Sequence, residues 1–364
     1  SDVCSSDLAR PLLDAIAELP EPQTGLLLLR HCASFCKVVY ATRVTPSTCL
    51  GSAMETFDTA VRHCLEAVCT GPLSAEAWLQ ASLATTAGGL GLRHACIHAP
   101  AGYASSVLAT QPLCQQLDPD YLPSSAEGAI LAVNRVLPAG DQIPVPAPPP
   151  LRQRQLSQAL DKVLISRLTA AGPGREAFRA HFQLLQQPGA GAWLHAPPSP
   201  ALGLHVAGPL FKIMVRLRLR LQVALGDAPC PMCDGVADSY GDHARVCPCG
   251  GDRTKRHHSL RTLVAARSQA AGFHTEVEKP GLLPPRPEDG GAPEDGGRAG
   301  PGRRPADVWI GNWGLLGPAA LDLAVTSGMR LGSLAQTAAN GQHAVVEYEV
   351  KKCSQNRDRK STRL

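Results

Sequence analysis

Between residues 12 and 225 apolar side chains recur at intervals of three and four, the period of a helix with one buried face. The pattern predicts helices over residues 26–42, 53–70 and 151–171. Phe57, Val61, Cys64, Leu65 and Val68 share one stripe, and Leu156, Leu160, Val163, Leu164 and Leu168 share another. Ser74 stands where its hydroxyl would cap a further helix with Trp78 facing inward. The run 138–150, ending PVPAPPP, lacks amide donors and predicts a stiff, extended linker between two helical domains. From Cys230 the rhythm changes to a short stretch rich in Gly and Asp, then a helix over 256–271. Residues 284–304 contain PEDGG twice and predict a disordered insertion, because such a composition buries no core. Short strands follow over 307–311 and 320–326, then helices over 331–340 and 342–352. Val345 and Val346 weaken the last of these.

Composition narrows the classes. A chain of 364 residues holds two or three folded units. The 34 glycines and 32 prolines, against 4% aromatics, fit helical domains broken by irregular connections. Lys and Arg number 35 against 31 acids, a net +4 that excludes an acidic disordered chain without demanding nucleic acid. No apolar run approaches the roughly 18 residues of a membrane span, so no membrane partner is expected. Asp2 and Asp7 stand where a secretory leader would carry basic residues. The 13 cysteines are mostly scattered through apolar segments, which reads as reduced thiols in an intracellular protein. Residues 1–8 (SDVCSSDL) and 358–364 (DRKSTRL) look like translated sequencing adapter, so the natural chain is expected to run from about Ala9 to about Arg357.

Charge and cysteine spacing change the picture most near residue 240. Cys230-Pro-Met-Cys233 is followed by His243 and, after three residues, by Cys247. Two thiolates on a CxxC turn grip one side of Zn²⁺, and a His and Cys on the next turn close the tetrahedron. Four protein ligands leave no open position, so the metal would be structural, with Cys249 a rival fourth ligand and His257 or His258 remoter ones. Between Gly208 and Phe273 stand ten Lys or Arg and five Asp, a local +5 that exceeds the charge of the whole chain. Arg253, Lys255, Arg256, His257 and Arg261, just after the knuckle, are candidate contacts to a phosphate backbone. Arg216, Arg218 and Arg220 suit a solvated helix face equally well.

A third constellation comprises Asp307 and Asp322 beside apolar strand residues, followed by Glu349, Lys351 and Lys352. Carboxylates brought together by neighbouring strands can hold Mg²⁺, and a nearby ammonium can orient a water and stabilise a pentacovalent phosphate.

The order of motifs carries a resemblance. Gly88-Gly89-Leu90-Gly91-Leu92-Arg93, Ala101–Ser106 (AGYASS), Gly191-Ala192-Trp193-Leu194, the Cys/Cys/His/Cys knuckle, Arg256-His257-His258, Arg304-Pro305-Ala306-Asp307 and Tyr348–Lys352 (YEVKK) follow one another. That succession resembles the carboxyl-terminal half of non-LTR retrotransposon reverse transcriptases that carry a restriction-like endonuclease. The resemblance implies a multi-domain chain: a mainly α thumb-like region over 9–137, the linker 138–150, a helical linker domain over 151–225, a zinc knuckle over 226–255, and a truncated α/β nuclease of the PD-(D/E)xK type over 256–353. It implies that Cys230, Cys233, His243 and Cys247 hold zinc, and that Asp307 and Asp322 are the nuclease carboxylates on Mg²⁺. Lys352, or Lys351, would be the catalytic lysine, with Glu349 beside them and Glu278 an accessory acid. The partners implied are target DNA, the element's RNA and an upstream polymerase domain, in the nucleus. The chain would nick DNA so that the freed 3′-hydroxyl primes reverse transcription; the alternative is a non-catalytic, zinc-dependent binder of nucleic acid from a decayed element. The sequence departs from the family in lacking the polymerase Asp-Asp signature, in Ala306 between Pro305 and Asp307, and in Leu323-Ala324 where Asp-x-Lys would place its lysine.

Overall fold

The computed structural model describes residues 5–146, 151–280, 282, 306–314 and 317–361, with backbone alone for 5–8 and 355–361. The insertion expected at 284–304, and Pro305, lie outside the described residues. The chain forms two compact units, the first running to Gly226 and adding Ser239–Gly241 and Leu331–Glu347. The second comprises Asp227–Asp238, Asp242–Arg330 and the chain from Tyr348 onward.

The first unit is helical: α1 (Ser5–Ala17), α2 (Pro22–Leu28), α3 (Val39–Val44), α4 (Ser47–Leu65), α5 (Ala75–Ser82), α6 (Ala95–Leu117), α7 (Ser124–Asn134), α8 (Gln153–Leu168), α9 (Glu176–Leu185) and α10 (Gly208–Arg218). Leu50, Met54, Phe57, Val61, Cys64 and Leu65 of α4 are buried at helical spacing in its largest core. Each such apolar side chain contributes about 1.5–3 kcal/mol on leaving water. Ser74 accepts from the Ala77 amide at 3.1 Å and so caps α5, with Trp78 buried.

Two sequence expectations fail in this unit. The helix expected over 26–42 is broken into α2, a π turn (Leu29–Ala33), a 3₁₀ turn (Phe35–Lys37) and α3, because Ser34 leaves helical geometry at φ −90°, ψ −142°. The proline-rich run 138–150 does not divide the helices into separate domains. Ala101 of α6, Val133 of α7, and Leu156 and Leu160 of α8 are buried in one cluster with Leu137, so the flanking helices share a core. The described part of the run, 138–146, opens with a 3₁₀ turn (Ala139–Asp141), and the chain beyond Leu151 packs again on the same apolar face.

The second unit begins with β1 (Ala228–Pro229) and β2 (Val236–Ala237), an antiparallel hairpin, then α11 (Asp242–Val246) and α12 (Asp252–Ala270). Strands β3 (Thr275–Val277), β4 (Val308–Ile310) and β5 (Ala319–Leu321) form an antiparallel sheet in the order β3-β4-β5. Val308 and Ile310, fully buried, pack with Ala265 of α12 and with Phe273, Leu321 and Leu323. The nuclease domain expected over 256–353 is interrupted, because Leu331–Glu347 belongs to the first unit, where α13 (Leu334–Ala339) packs on α9. Helix α14 (His343–Ser361) begins in the first unit and ends in the second.

Candidate functional site

The tightest constellation of the second unit is built on the β1–β2 hairpin. The Cys230 amide donates to the Gly235 carbonyl at 2.8 Å, closing the turn. Within it the Met232 and Gly235 amides point at the Cys230 and Cys233 sulfurs, each at 3.4 Å. The Met232 bond favours the Cys230 thiolate, and its pKa falls to about 6. The Asp238 carboxylate accepts from the Asp242 and His243 amides at 3.1 and 2.6 Å, which starts α11 and fixes His243 on its first turn. One turn later Cys247 closes the set through its amide bond to the His243 carbonyl, 2.7 Å. Gly235 is obligatory here, because a Cβ would lie 2.7 Å from His243 Cε1.

Cys230, Cys233, His243 and Cys247 offer ligand atoms that all lie within 4.8 Å of one another. The sulfurs of Cys247 lie 4.0 Å from Cys230 and 3.8 Å from Cys233, and His243 Nε2 lies 3.4 Å from Cys233 Sγ. A zinc tetrahedron with ~2.3 Å Zn–S and ~2.0 Å Zn–N bonds requires edges of roughly 3.8 and 3.5 Å. The donor set and its spacing therefore fit zinc. Cys249, the rival ligand, is exposed and lies outside the cluster, and the half-buried His257 and exposed His258 lie outside it too.

The sheet brings the acidic residues into a row. The register pairs Val277 with Val308 and Val308 with Leu321, so Glu278 just after β3, Asp307 just before β4 and Asp322 just after β5 stand at the same end of the sheet. The Glu278 amide donates to the Asp307 carbonyl at 3.0 Å, and the Asp307 amide to the Leu321 carbonyl at 2.9 Å. Glu278 adopts φ +49°, a left-handed conformation that costs a non-glycine residue about 1–2 kcal/mol.

Each acid has a basic partner. His257 Nε2 lies 3.0 Å from Asp307 Oδ1, while Asp307 Oδ2 accepts from the Leu323 amide at 2.6 Å. One turn along α12, Arg261 pairs with Glu278. Lys352 Nζ lies 2.8 Å from Asp322 Oδ2 and 5.6 Å from the Tyr348 ring centre; the bond to Asp322 holds its pKa above the usual lysine value. Of the two candidate lysines only Lys352 meets an acid of the row, and Lys351 and Glu349 are exposed. Among the described residues neither Asp307 nor Asp322 belongs to a group of three or more His, Cys, Asp or Glu whose ligand atoms lie within 4.8 Å of one another.

The expected basic surface divides four ways. His257 and Arg261 serve the acidic row, and Arg218 is buried in the first unit with its three nitrogens on the carbonyls of Gly89, Ala190 and Thr85. Lys255 is exposed beside Asp252, 3.4 Å away. Arg253 and Arg256 line a cavity of about 250 Å³ together with Arg245, Arg330, Thr326 and Ser327, and no carboxylate lines it. Arg330 Nη2 donates to Thr326 Oγ1 at 2.6 Å, Arg256 Nη2 to the Arg245 carbonyl at 2.6 Å and Arg245 Nη2 to Asp242 Oδ1 at 2.5 Å, which holds three of the four guanidinium groups in place. Sequence reasoning missed Arg330 and its hydroxyl neighbours, which carry no local motif.

No protein family, curated protein or solved structure matches the chain. The site therefore rests on its own chemistry. No helix among the described residues is long and apolar enough to cross a membrane.

Proposed function

We propose that the second unit is a zinc-stapled module that binds nucleic acid and hydrolyses a DNA phosphodiester with a divalent cation. The observation that carries the reading is the row Glu278, Asp307 and Asp322 across three paired strands, with the Lys352 ammonium 2.8 Å from Asp322. A pair of carboxylates is a donor set that suits Mg²⁺, which keeps several waters and takes one or two protein oxygens beside those of a substrate phosphate. Asp307 and Asp322 would hold the ion, and when bound it supplies Lewis-acid stabilisation of the phosphoryl oxygen. Lys352 orients the attacking water and places positive charge beside the pentacovalent phosphate. His257 holds the Asp307 carboxylate in position, and the Arg245, Arg253, Arg256 and Arg330 pocket receives backbone phosphate. The Cys230, Cys233, His243 and Cys247 zinc is structural in this reading, since its four donors leave no position for substrate. The setting is the one the motif order suggests, a nuclear retrotransposon protein whose nick primes reverse transcription by an upstream polymerase on element RNA.

The test is nicking of supercoiled DNA in Mg²⁺. Cutting that disappears in Asp307→Ala and Lys352→Met while DNA binding persists supports the hydrolase. A second reading, a zinc-dependent binder without turnover, is favoured by the basic partners already seated on all three acids. It predicts salt-sensitive binding and no cutting in any divalent metal.

A further inference from the structure

The first unit holds two buried arginines with opposite treatment. Arg218, 3% exposed, has Nε, Nη1 and Nη2 on three backbone carbonyls, so its charge is fully solvated by the protein. Arg30, 8% exposed, sits on the π turn after α2. Its Nη2 donates to the Leu194 carbonyl at 2.6 Å and its Nε to His31 Nε2 at 3.2 Å, whereas Nη1 is buried with no partner. No carboxylate pairs with Arg30 among the described residues, and burial alone lowers its pKa. A guanidinium removed from water without a counter-anion is unfavourable unless something else supplies the negative charge.

Arg30 lines a cavity of about 330 Å³ together with His31, Ser34, Phe35, Thr85, Gly91, Arg93 and His195, among others. The Gly88–Arg93 string builds this wall. Gly91, at φ +81°, lies against the Arg30 stem, where a Cβ would come 3.0 Å from Cδ. Arg93 then places its guanidinium 5.5 Å from the Phe35 ring centre. His195 Nε2 meets Thr85 Oγ1 at 3.0 Å, and burial followed by Arg30, His31 and Arg218 lowers its pKa. The one carboxylate in the lining, Asp161, lies 3.4 Å from Nε2 of the buried His98. The cavity thus carries two fixed positive charges, two imidazoles and three hydroxyls (Ser34, Ser82 and Thr85) around a single acid that already has a partner.

We propose that this cavity is an anion site for a phosphoryl group, with Arg30 supplying the buried charge and Arg93 the entering contact. Two guanidinium groups match the charge of a phosphate better than that of a carboxylate, and the imidazoles and hydroxyls add donors around a tetrahedral oxyanion. The site shares no residue with the zinc knuckle or the acidic row. Its chemistry suits free phosphate, a nucleotide or one phosphate of a nucleic-acid backbone.

The experiment titrates the full chain at constant ionic strength with inorganic phosphate and, separately, with a dinucleotide bearing one phosphodiester. The Arg253→Ala background removes a cation of the other basic pocket. Binding is followed by the His195 ring signal in NMR, assigned through His195→Gln. A saturable shift that weakens at least about tenfold in Arg93→Ala supports the site, since a hydrogen bond to a charged group carries that much. Saturation by both probes assigns the phosphoryl group itself, and saturation by the dinucleotide alone assigns a backbone phosphate. Arg30→Met keeps the stem's packing and loses the shift as well. No saturable shift with either probe, or equal affinity in Arg93→Ala, overturns the proposal.

Discussion

At the scale of the residue, Glu278 shows how much the acidic row imposes on the backbone. Its left-handed conformation is natural for glycine and strained for any other residue, and Arg261 and the Asp307 carbonyl hold it there. Glu278→Gly and Glu278→Ala both lose the Arg261 pair, so their difference isolates the strain. The glycine variant is expected to be more stable than the alanine variant by about 1 kcal/mol in thermal melts. Glu21 gives a pH-dependent counterpart in the first unit. Burial works against its charge, but hydrogen bonds from Thr24 and Gln23 at the start of α2 outweigh it and lower its pKa. Its contribution is complete above the ordinary carboxylate range and fades as pH falls through the lowered folded value. Glu21→Gln should lower stability at neutral pH and flatten the acid limb of a stability–pH curve.

At the scale of the element, legibility followed the range of the interaction. The α4 and α8 stripes were readable because Phe57, Val61, Leu65 and Leu156, Leu160, Leu164 each repeat within one helix. The knuckle was readable because its four ligands lie within eighteen residues and their spacing sets the geometry. The break at Ser34 was not, since the apolar rhythm continues across it. The strands are only three residues long, so the expected span 320–326 shrinks to Ala319–Leu321. Asp307 and Asp322 were named from the sequence, whereas their alignment with Glu278 depends on the pairing of β3 with β4, strands too far apart along the chain for a local pattern to join. Two measurements address the hairpin. Chelation should speed hydrogen exchange of the Met232 and Gly235 amides, which donate to the ligand sulfurs. Gly235→Ala should weaken zinc binding in a competition titration, because the added methyl meets the His243 ring.

At the scale of the whole molecule, the proline-rich connection is a detour within one body. Leu160, with no exposed surface, packs with residues from both sides of it. Leu160→Ala should cost about 2–5 kcal/mol in chemical denaturation. A protease site placed at 144–150 should yield two fragments that still co-elute, because their shared apolar cluster survives the cut. The departure of Leu331–Glu347 from the expected nuclease span has the same origin, for α13 finds its packing partner in α9.

The three carbonyls around Arg218 also say how kin of this chain could be recognised. Gly89 leaves no room for a side chain against the Leu83 carbonyl, and a Cβ on Gly191 would sit 3.2 Å from Arg218 Nη2. Lysine cannot reach all three oxygens from one ammonium. Any descendant of this architecture is therefore bound to keep two small residues and one arginine, far apart in sequence and knotted together in space. That sparse triplet is a signature by which remote cousins could be found when the rest of their sequences has drifted beyond comparison.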